Sequence, residues 1–246
     1  MRILITGAAG FVGSHLASHL AQSREHQLLG VDSLSDYYSV ELKKLRVHHF
    51  LEKKGVDFKR VDLSDRESVE ATIEKFRPER IYHLGAQAGI RLPVEKFHIY
   101  TESNLSGFSN ILTSALRFGV KDFLYASSSS VYGDFAAVPL SENEINLRPT
   151  SFYGATKLSN EITARTVADK FPIRLRGLRY FTVYGPWGRP DMAYFRVMEA
   201  LINDRAFQQF GDGTIKRDFT YVDDVVRSCL HLGNELENRD LGFSDI

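Results

Sequence analysis

The stretch MRILITGAAGFVG, residues 1–13, joins a short apolar run to three closely spaced glycines. Ile3, Leu4 and Ile5 are typical of a buried parallel strand, and residues 11–22 carry apolar side chains at helical spacing. A glycine-rich turn between a strand and a helix is the pattern of a dinucleotide-binding unit, in which the helix N-terminus faces a pyrophosphate. This stretch therefore predicts an α/β fold that binds a dinucleotide.

The three glycines, Gly7, Gly10 and Gly13, have a GxxGxxG spacing, one residue wider at its start than the common fingerprint. We expect Gly7 to turn the chain, Gly10 to let the backbone approach a phosphate, and Gly13 to pack the helix closely on the sheet. Phe11 and Val12 begin the predicted helix, so we expect their backbone N–H groups at the same phosphates.

An acidic residue, Asp32, ends the predicted second strand at residues 27–31. In the dinucleotide fold a carboxylate about twenty positions beyond the glycines accepts hydrogen bonds from the adenine-side ribose hydroxyls. It would repel a 2′-phosphate, so Asp32 predicts NAD rather than NADP. The alternative is an ordinary aspartate at a strand end.

The composition limits the class of protein. The 246 residues, 43% of them hydrophobic, suit one large α/β domain or one domain with a smaller partner. The net charge of +0 gives no electrostatic case for nucleic acid or a membrane surface. The single cysteine, Cys229, fits a reducing compartment, and the apolar runs are too short for a signal peptide or a membrane span. We expect a cytoplasmic protein without a metal site.

Strand and helix patterns alternate six times along the chain, which predicts a doubly wound parallel sheet, the Rossmann architecture, over residues 1–181. Residues 182–192 form a predicted turn-rich loop. Residues 182–246 would form a partial, smaller substrate lobe, with a helix at 193–203 and short strands at 207–210 and 217–221. Small and polar residues follow several strands, on the side where ligands bind such sheets.

A candidate catalytic group combines Tyr153 and Lys157, four residues apart on a predicted helix, with Ser128 at the end of the fifth strand. A tyrosine titrates near 10, so it is a poor base at neutral pH unless nearby positive charge favours its phenolate. With such help it can take a proton from a carbinol while hydride leaves the carbon. The alternative is a Tyr and a Lys that merely share a helix face.

Taken together, these motifs resemble the extended short-chain dehydrogenase/reductases, specifically the NAD-dependent nucleotide-sugar epimerases and dehydratases. The motifs that carry the resemblance are the glycine turn, Asp32, Asp62-Leu63, the serines 127–130 with Val131-Tyr132-Gly133, YGATK at 153–157, and RDFTYVDD at 217–224.

The resemblance implies a role for each of these residues. Tyr153 would be the general base and acid, with Lys157 supporting it and binding the nicotinamide ribose, and Ser128 the hydroxyl partner. Asp32 and Asp62 would hold the adenosine. The remaining expected contacts are Leu63, Ala86, Gln87, Asn104 and Tyr180 for the cofactor, and Arg217 for the substrate pyrophosphate.

A closer resemblance is to the UDP-glucuronate 4-epimerases, carried by AQAGIR at 86–91 and YGPWGRPDMA at 184–193. It implies inversion at C4 of a UDP-hexuronic acid through a 4-keto intermediate. Arg189, and more weakly Arg91, would meet the sugar carboxylate, with Thr182 and Ser129 as hydrogen-bond partners. The alternatives are a 4-epimerase of UDP-glucose or UDP-N-acetylglucosamine, and an NAD-binding protein without catalysis.

The serine run bears on neighbouring activities. Sugar 4,6-dehydratases resemble one another in carrying Asp-Glu after the catalytic hydroxyl, and glucuronate decarboxylases keep the Glu. This chain has Ser129 and Ser130 there, and neither can serve as a carboxylate acid or base, so both activities are disfavoured.

Two further expectations follow from the resemblance. The family continues beyond the last predicted helix, so we expect this chain to stop inside the substrate lobe. The family also pairs two helices per subunit in an intersubunit four-helix bundle, which predicts a homodimer. The corresponding helices here, at 100–118 and 151–170, should present a second apolar face that contains Leu105, Phe108, Leu112, Leu158 and Ile162.

Overall fold

The structure, a computed structural model, describes residues 1–134, 136–209, 214, 216–237 and, for the backbone alone, 242–245. Its strands in that range are β1 Arg2–Thr6, β2 Gln27–Asp32, β3 Asp57–Arg60, β4 Arg80–His83, β5 Asp122–Ser128, β6 Arg174–Tyr180, β7 Thr182–Tyr184, β8 Phe219–Tyr221 and β9 Gly242–Asp245. Its α-helices are α1 Phe11–Leu20, α2 Val40–Arg46, α3 Arg66–Phe76, α4 Phe97–Tyr100, α5 Gly107–Arg117, α6 Phe152–Ala168, α7 Ala193–Ile202 and α8 Val222–Glu237. None of the helices in these ranges has the length and apolarity that crossing a bilayer would require.

The central sheet has the strand order β3-β2-β1-β4-β5-β6-β9, and every neighbouring pair is parallel. The order reverses between β1 and β4, so the connections that leave these two strands diverge and open a crevice at their carboxyl ends. The predicted doubly wound parallel sheet is therefore confirmed. The crevice at this switch point positions the candidate site.

Two hydrophobic clusters cover the two faces of the sheet. Ile3 and Ile5 of β1 lie in the cluster shared with α1 and α8, whereas Leu4 lies in the cluster shared with α3, α5 and α6. All three side chains are fully buried. The alternation along one strand reflects the period of two in strand side chains, and it explains why the segment is apolar throughout rather than at alternate positions.

The second lobe begins with a small sheet in which β7 and β8 pair in parallel. The sequence predicted a loop where β7 lies and a strand at 207–210. Residues 207–209 form no regular structure, and residue 210 is outside the described range. A three-residue strand has a weak local signal, because its partner is far along the chain. The second lobe packs against the first, since Val222 and Val226 of α8 are buried in the same hydrophobic cluster as Ile3 and Ile5 of β1. The boundary at residue 182 stays a prediction.

The helix predicted at 100–118 is interrupted, because α4 and α5 are joined by a π-helical turn at Thr101–Ser106. Phe108 and Leu112 are buried within the chain, at 1% and 2% exposure, so they are not part of a free apolar face. Ile162 on α6 is exposed. The homodimer therefore stays a prediction, with a smaller exposed apolar surface than the sequence pattern indicated.

Candidate functional site

A cleft runs along the carboxyl ends of the strands β1 to β6, and it continues to the loop after β7. Most of the residues that the sequence analysis singled out line it. They are Gly7, Gly10, Phe11, Val12, Gly13, Asp32, Asp62, Leu63, Ala86, Gln87, Ser128, Tyr153, Lys157, Tyr180 and Arg189. The strands bring together residues that are up to 185 positions apart in the sequence, from Gly7 to Met192.

The glycine turn is shaped to receive phosphate. Gly7 has φ +68, and a Cβ there would lie 2.7 Å from the backbone nitrogen of Gly85. At Gly10 and Gly13 an added Cβ would meet the carbonyl oxygen of Gly7. Gly13 is therefore required by the turn itself, and not only by helix–sheet packing as predicted. Gly10 also gives α1 no side-chain cap, which leaves the first N–H groups of the helix available to an anion. The turn fits a dinucleotide pyrophosphate.

Asp32 lies at the far end of the same wall. Its carboxylate accepts backbone hydrogen bonds from Leu34 at 2.8 Å and Ala9 at 3.2 Å. Burial raises the pKa of Asp32, while these bonds and the charge of Lys43 act in the opposite direction. The carboxylate is thus held in one orientation at the mouth of the cleft, as the ribose-binding role requires.

Lys157 is buried beneath the cleft floor, and its ammonium donates a 2.8 Å hydrogen bond to the carbonyl of Ala126. Burial lowers the pKa of Lys157 to about 8, and the charge of Glu161 raises it. Glu161 is one helical turn further along α6, where it forms a buried ion pair with Arg179 at 2.9 Å and accepts a bond from Ser127. This ion pair lies directly behind the candidate catalytic residues.

Tyr153 lies between Ser128 and Arg189. Burial raises the pKa of Tyr153, whereas the charge of Arg189 and the hydroxyl of Ser128 lower it. The ammonium of Lys157 lies 5.7 Å from the centroid of the tyrosine ring. Arg189 and Ser128 thus act on the phenol in addition to Lys157, whose supporting role stays a prediction.

Arg189 belongs to the loop that follows β7. Its guanidinium binds the carboxylate of Asp191 through Nε at 3.1 Å and Nη2 at 2.8 Å, and the hydroxyl of Tyr37 donates to the same carboxylate at 3.3 Å. The arginine side chain is 23% exposed, on the cleft side. A cation in the cleft is thus balanced by a neighbouring carboxylate, and it remains within reach of Tyr153.

Five predicted residues are outside the cleft lining. Asn104 is buried in the π-helical turn, where its amide bonds the backbone of Gln87 and the hydroxyl of Thr156. It can act on the cleft only through these neighbours. Thr182 and Ser129 are half-buried next to lining residues, and Arg91 and Arg217 are exposed.

A polar group on the segment after β2 was not predicted from the sequence. Ser35, Tyr37, Tyr38 and Lys43 line the cleft, and Lys43 donates to Ser35 at 2.7 and 2.9 Å. A double tyrosine followed by basic residues at helical spacing, directly after a strand at the ligand edge, was the available signal. Ser103, on the π-helical turn, was also missed.

The chain is similar to known proteins in sequence and in fold. The model of the NAD dependent epimerase/dehydratase family matches residues 3–242. Protein CapI of Staphylococcus aureus is 45% identical over 232 residues, which are 94% of this chain and 69% of that protein. The probable UDP-glucuronate 4-epimerase of Rhizobium meliloti is 41% identical over 236 residues, 95% of this chain and 68% of that protein. The crystal structure of UDP-glucuronic acid 4-epimerase from Bacillus cereus in complex with UDP-glucuronic acid and NAD is similar at a TM-score of 0.88 and 34% identity, over 100% of this chain and 77% of that one.

Proposed function

Because the chain belongs to the NAD-dependent epimerase/dehydratase family, we propose that it is a UDP-hexuronic acid 4-epimerase. The reaction is the interconversion of UDP-glucuronate and UDP-galacturonate. Family membership confirms the predicted family, the predicted class of enzyme and NAD as the cofactor. The sugar is the part that is proposed.

Residues 7–13 and Asp32 form one side of the cleft, the glycine wall, and they would bind the cofactor. The uncapped N-terminus of α1 faces the pyrophosphate and Asp32 the adenine-side ribose, as their geometry allows. When bound between these residues, NAD would supply the hydride acceptor, and then the hydride donor, for C4 of the sugar.

Tyr153 would remove the O4 proton when C4 is oxidised and return it when C4 is reduced. Ser128 shares that oxygen, and Arg189 lowers the pKa of the phenol from the loop side. Lys157, held at the carbonyl of Ala126, supports the tyrosine from below. The proton therefore moves at one oxygen atom, whose surroundings are buried and largely fixed.

The observation that carries the choice of a uronic acid is the Arg189 guanidinium in the cleft beside Tyr153. A guanidinium can hold a carboxylate through two parallel hydrogen bonds, as Arg189 already does with Asp191. A neutral sugar has no group that needs this cation. The solved relative of similar fold carries UDP-glucuronic acid, which is consistent with the proposal.

The chemistry gives a second reason for a fixed cation. Oxidation at C4 of a uronic acid makes a β-keto acid, which loses CO₂ when its carboxylate bond aligns with the carbonyl π system. A guanidinium that holds the carboxylate out of this alignment protects the intermediate. Arg189 would thus favour epimerisation over decarboxylation.

The test is to replace Arg189 with leucine and to measure kcat/KM for UDP-glucuronate and UDP-glucose. We expect the preference for UDP-glucuronate to fall by roughly tenfold or more, because a charge-assisted pair is lost, and some pentose product to form. Arg227→Leu, which replaces an exposed arginine on α8, is the matched control. Equal losses on both sugars, with no pentose, would reject the uronate assignment in favour of a neutral-sugar 4-epimerase.

A further inference from the structure

A buried arginine outside the cleft connects the two walls of the cleft, which are the glycine wall and the loop of residues 185–192. Arg46 ends α2 and is 0% exposed. A guanidinium has five N–H donors, and burying one without partners is costly. The partners of Arg46 therefore indicate what this residue is for.

All of the donors of Arg46 are used, and none of the acceptors is a carboxylate. Nε and Nη2 donate to the carbonyl of Trp187 at 2.9 and 2.5 Å, and Nη2 also donates to Gly188 at 3.0 Å. Nη1 donates to the carbonyl of Ala9 at 3.2 Å and to the hydroxyl of Tyr38 at 2.6 Å. One side chain thus holds the glycine turn, the segment after β2 and the loop that precedes Arg189.

The loop needs such support at this point. Trp187 has φ +60, a backbone conformation that residues other than glycine rarely adopt. It persists only where the surrounding structure enforces it. Its ring packs on His49 and Phe50, with centroids 5.3 and 5.5 Å away. The strained residue is therefore held through its carbonyl by Arg46 and through its ring by the segment that follows α2.

We infer that Arg46 is a positioning residue, which fixes the Trp187–Gly188 backbone on the glycine turn and so places Arg189 beside Tyr153. Arg189 is only two positions beyond Trp187, so a shift of the held carbonyl moves the guanidinium. The effect on sugar selectivity rests on the proposed function, whereas the effect on loop position does not. A lysine cannot replace Arg46, because its ammonium is a single point that cannot hold carbonyls of two walls at once.

The chain provides its own probe of the loop, because Trp187 is the single tryptophan. The experiment compares Arg46→Lys with the wild type in the NAD-loaded protein, by acrylamide quenching of Trp187 fluorescence and by the kcat/KM ratio for UDP-glucuronate over UDP-glucose. Arg80→Lys is the matched control, since Arg80 is also buried but bonds Asp122, Glu237 and Asn234 at the other end of the sheet.

We expect Arg46→Lys to bind NAD, to expose Trp187 to quencher, and to lose roughly tenfold or more of the uronate preference, the scale of a small misplacement at a reactive site. Arg80→Lys should lower thermal stability and change neither readout. Unchanged quenching and an unchanged ratio in Arg46→Lys would overturn the inference.

The two measurements distinguish failure of the proposed function from failure of the inference about Arg46. If the wild type shows no uronate preference, the proposed function fails, and the quenching of Trp187 alone decides the inference about Arg46. If Arg46→Lys does not fold, Arg46→Gln replaces it, because a neutral amide leaves no buried charge unpaired and still cannot hold carbonyls of both walls at once. Unchanged quenching and selectivity in that variant would also overturn the inference.

Discussion

The two walls of the cleft are built in different ways. The glycine wall, residues 7–13 with Asp32, is held mainly by backbone bonds between near neighbours, such as Gly10 N–H to the Gly7 carbonyl at 2.9 Å. The loop wall, residues 185–192, is held by side chains 141 and 154 positions away, through Arg46 to Trp187 and Tyr37 to Asp191. A wall made of local backbone geometry can be predicted from a short motif, whereas a wall made of distant contacts cannot.

The largest effect is expected where the two walls meet. Tyr153→Phe removes the titrating oxygen and almost no volume, so it should leave both walls intact. We expect epimerisation to fall by roughly 10² to 10⁴, the range of a general acid or base, with NAD affinity nearly unchanged. Product analysis and calorimetric titration with NAD would check this. Retention of most of the activity would remove Tyr153 from the mechanism.

The next prediction is for a substitution that disrupts the glycine wall and leaves the loop wall unchanged. Gly13→Val places a side chain against the Gly7 carbonyl oxygen, so the turn must open. We expect a loss of about 1–3 kcal/mol in the free energy of unfolding, as for other overpacked sites, and a loss of NAD affinity of roughly tenfold or more. Gly55→Ala is the control, because Gly55, unlike Gly13, has a left-handed φ, +74, and open space around it, so this variant strains the chain without touching the turn. If both variants kept the NAD affinity of the wild type, the glycine turn would not be the phosphate site.

A milder change alters the chemistry of the same wall without its shape. Asp32→Asn keeps an acceptor but removes the charge that would repel a 2′-phosphate. We therefore expect the preference for NAD over NADP to narrow by roughly fivefold to tenfold, as measured by titration with each cofactor. Asp65→Asn, at the N-terminus of α3, should not change the preference. A wild type that binds NADP as well as NAD would show that Asp32 does not discriminate.

The smallest expected effect concerns Lys157, which is buried at the bottom of the cleft between the two walls. Folded Lys157 has a pKa of about 8, below the value near 10.4 of an unfolded lysine. Between these values the unfolded chain binds more protons, so the free energy of unfolding attributable to Lys157 rises with pH. In thermal melts without added cofactor, the stability of the wild type relative to Lys157→Met should therefore increase from pH 7.5 to pH 10. A constant difference would mean that Lys157 is not desolvated.

The sequence predicted what is encoded locally. The strand–glycine–helix pattern predicted the turn, Asp32 and the parallel sheet, and helical spacing placed Tyr153 and Lys157 on one face. It did not predict β7, whose partner β8 is far along the chain. It also did not predict the role of Arg46, whose acceptors are carbonyls on two segments and a hydroxyl on a third. Carbonyl acceptors leave no trace in a sequence, because every residue has one. The help that Arg189 gives to Tyr153 was missed for a related reason, since it depends on how far the loop folds back.

The π-helical turn at Thr101–Ser106 makes this part of the chain sensitive to length. A π turn contains one residue more than an α turn, so deleting a single residue there could yield an ordinary, better-bonded helix. The deletion would leave α4 and α5 in nearly the same rotational phase, because a π turn accommodates its extra residue within one wider turn. Tyr100 would stay beside the ring of Tyr153, whose centroid is 6.0 Å away, whereas the residues of the turn itself would shift and Asn104 would lose the backbone of Gln87. The length of this turn is therefore set by the contact of Asn104 with Gln87.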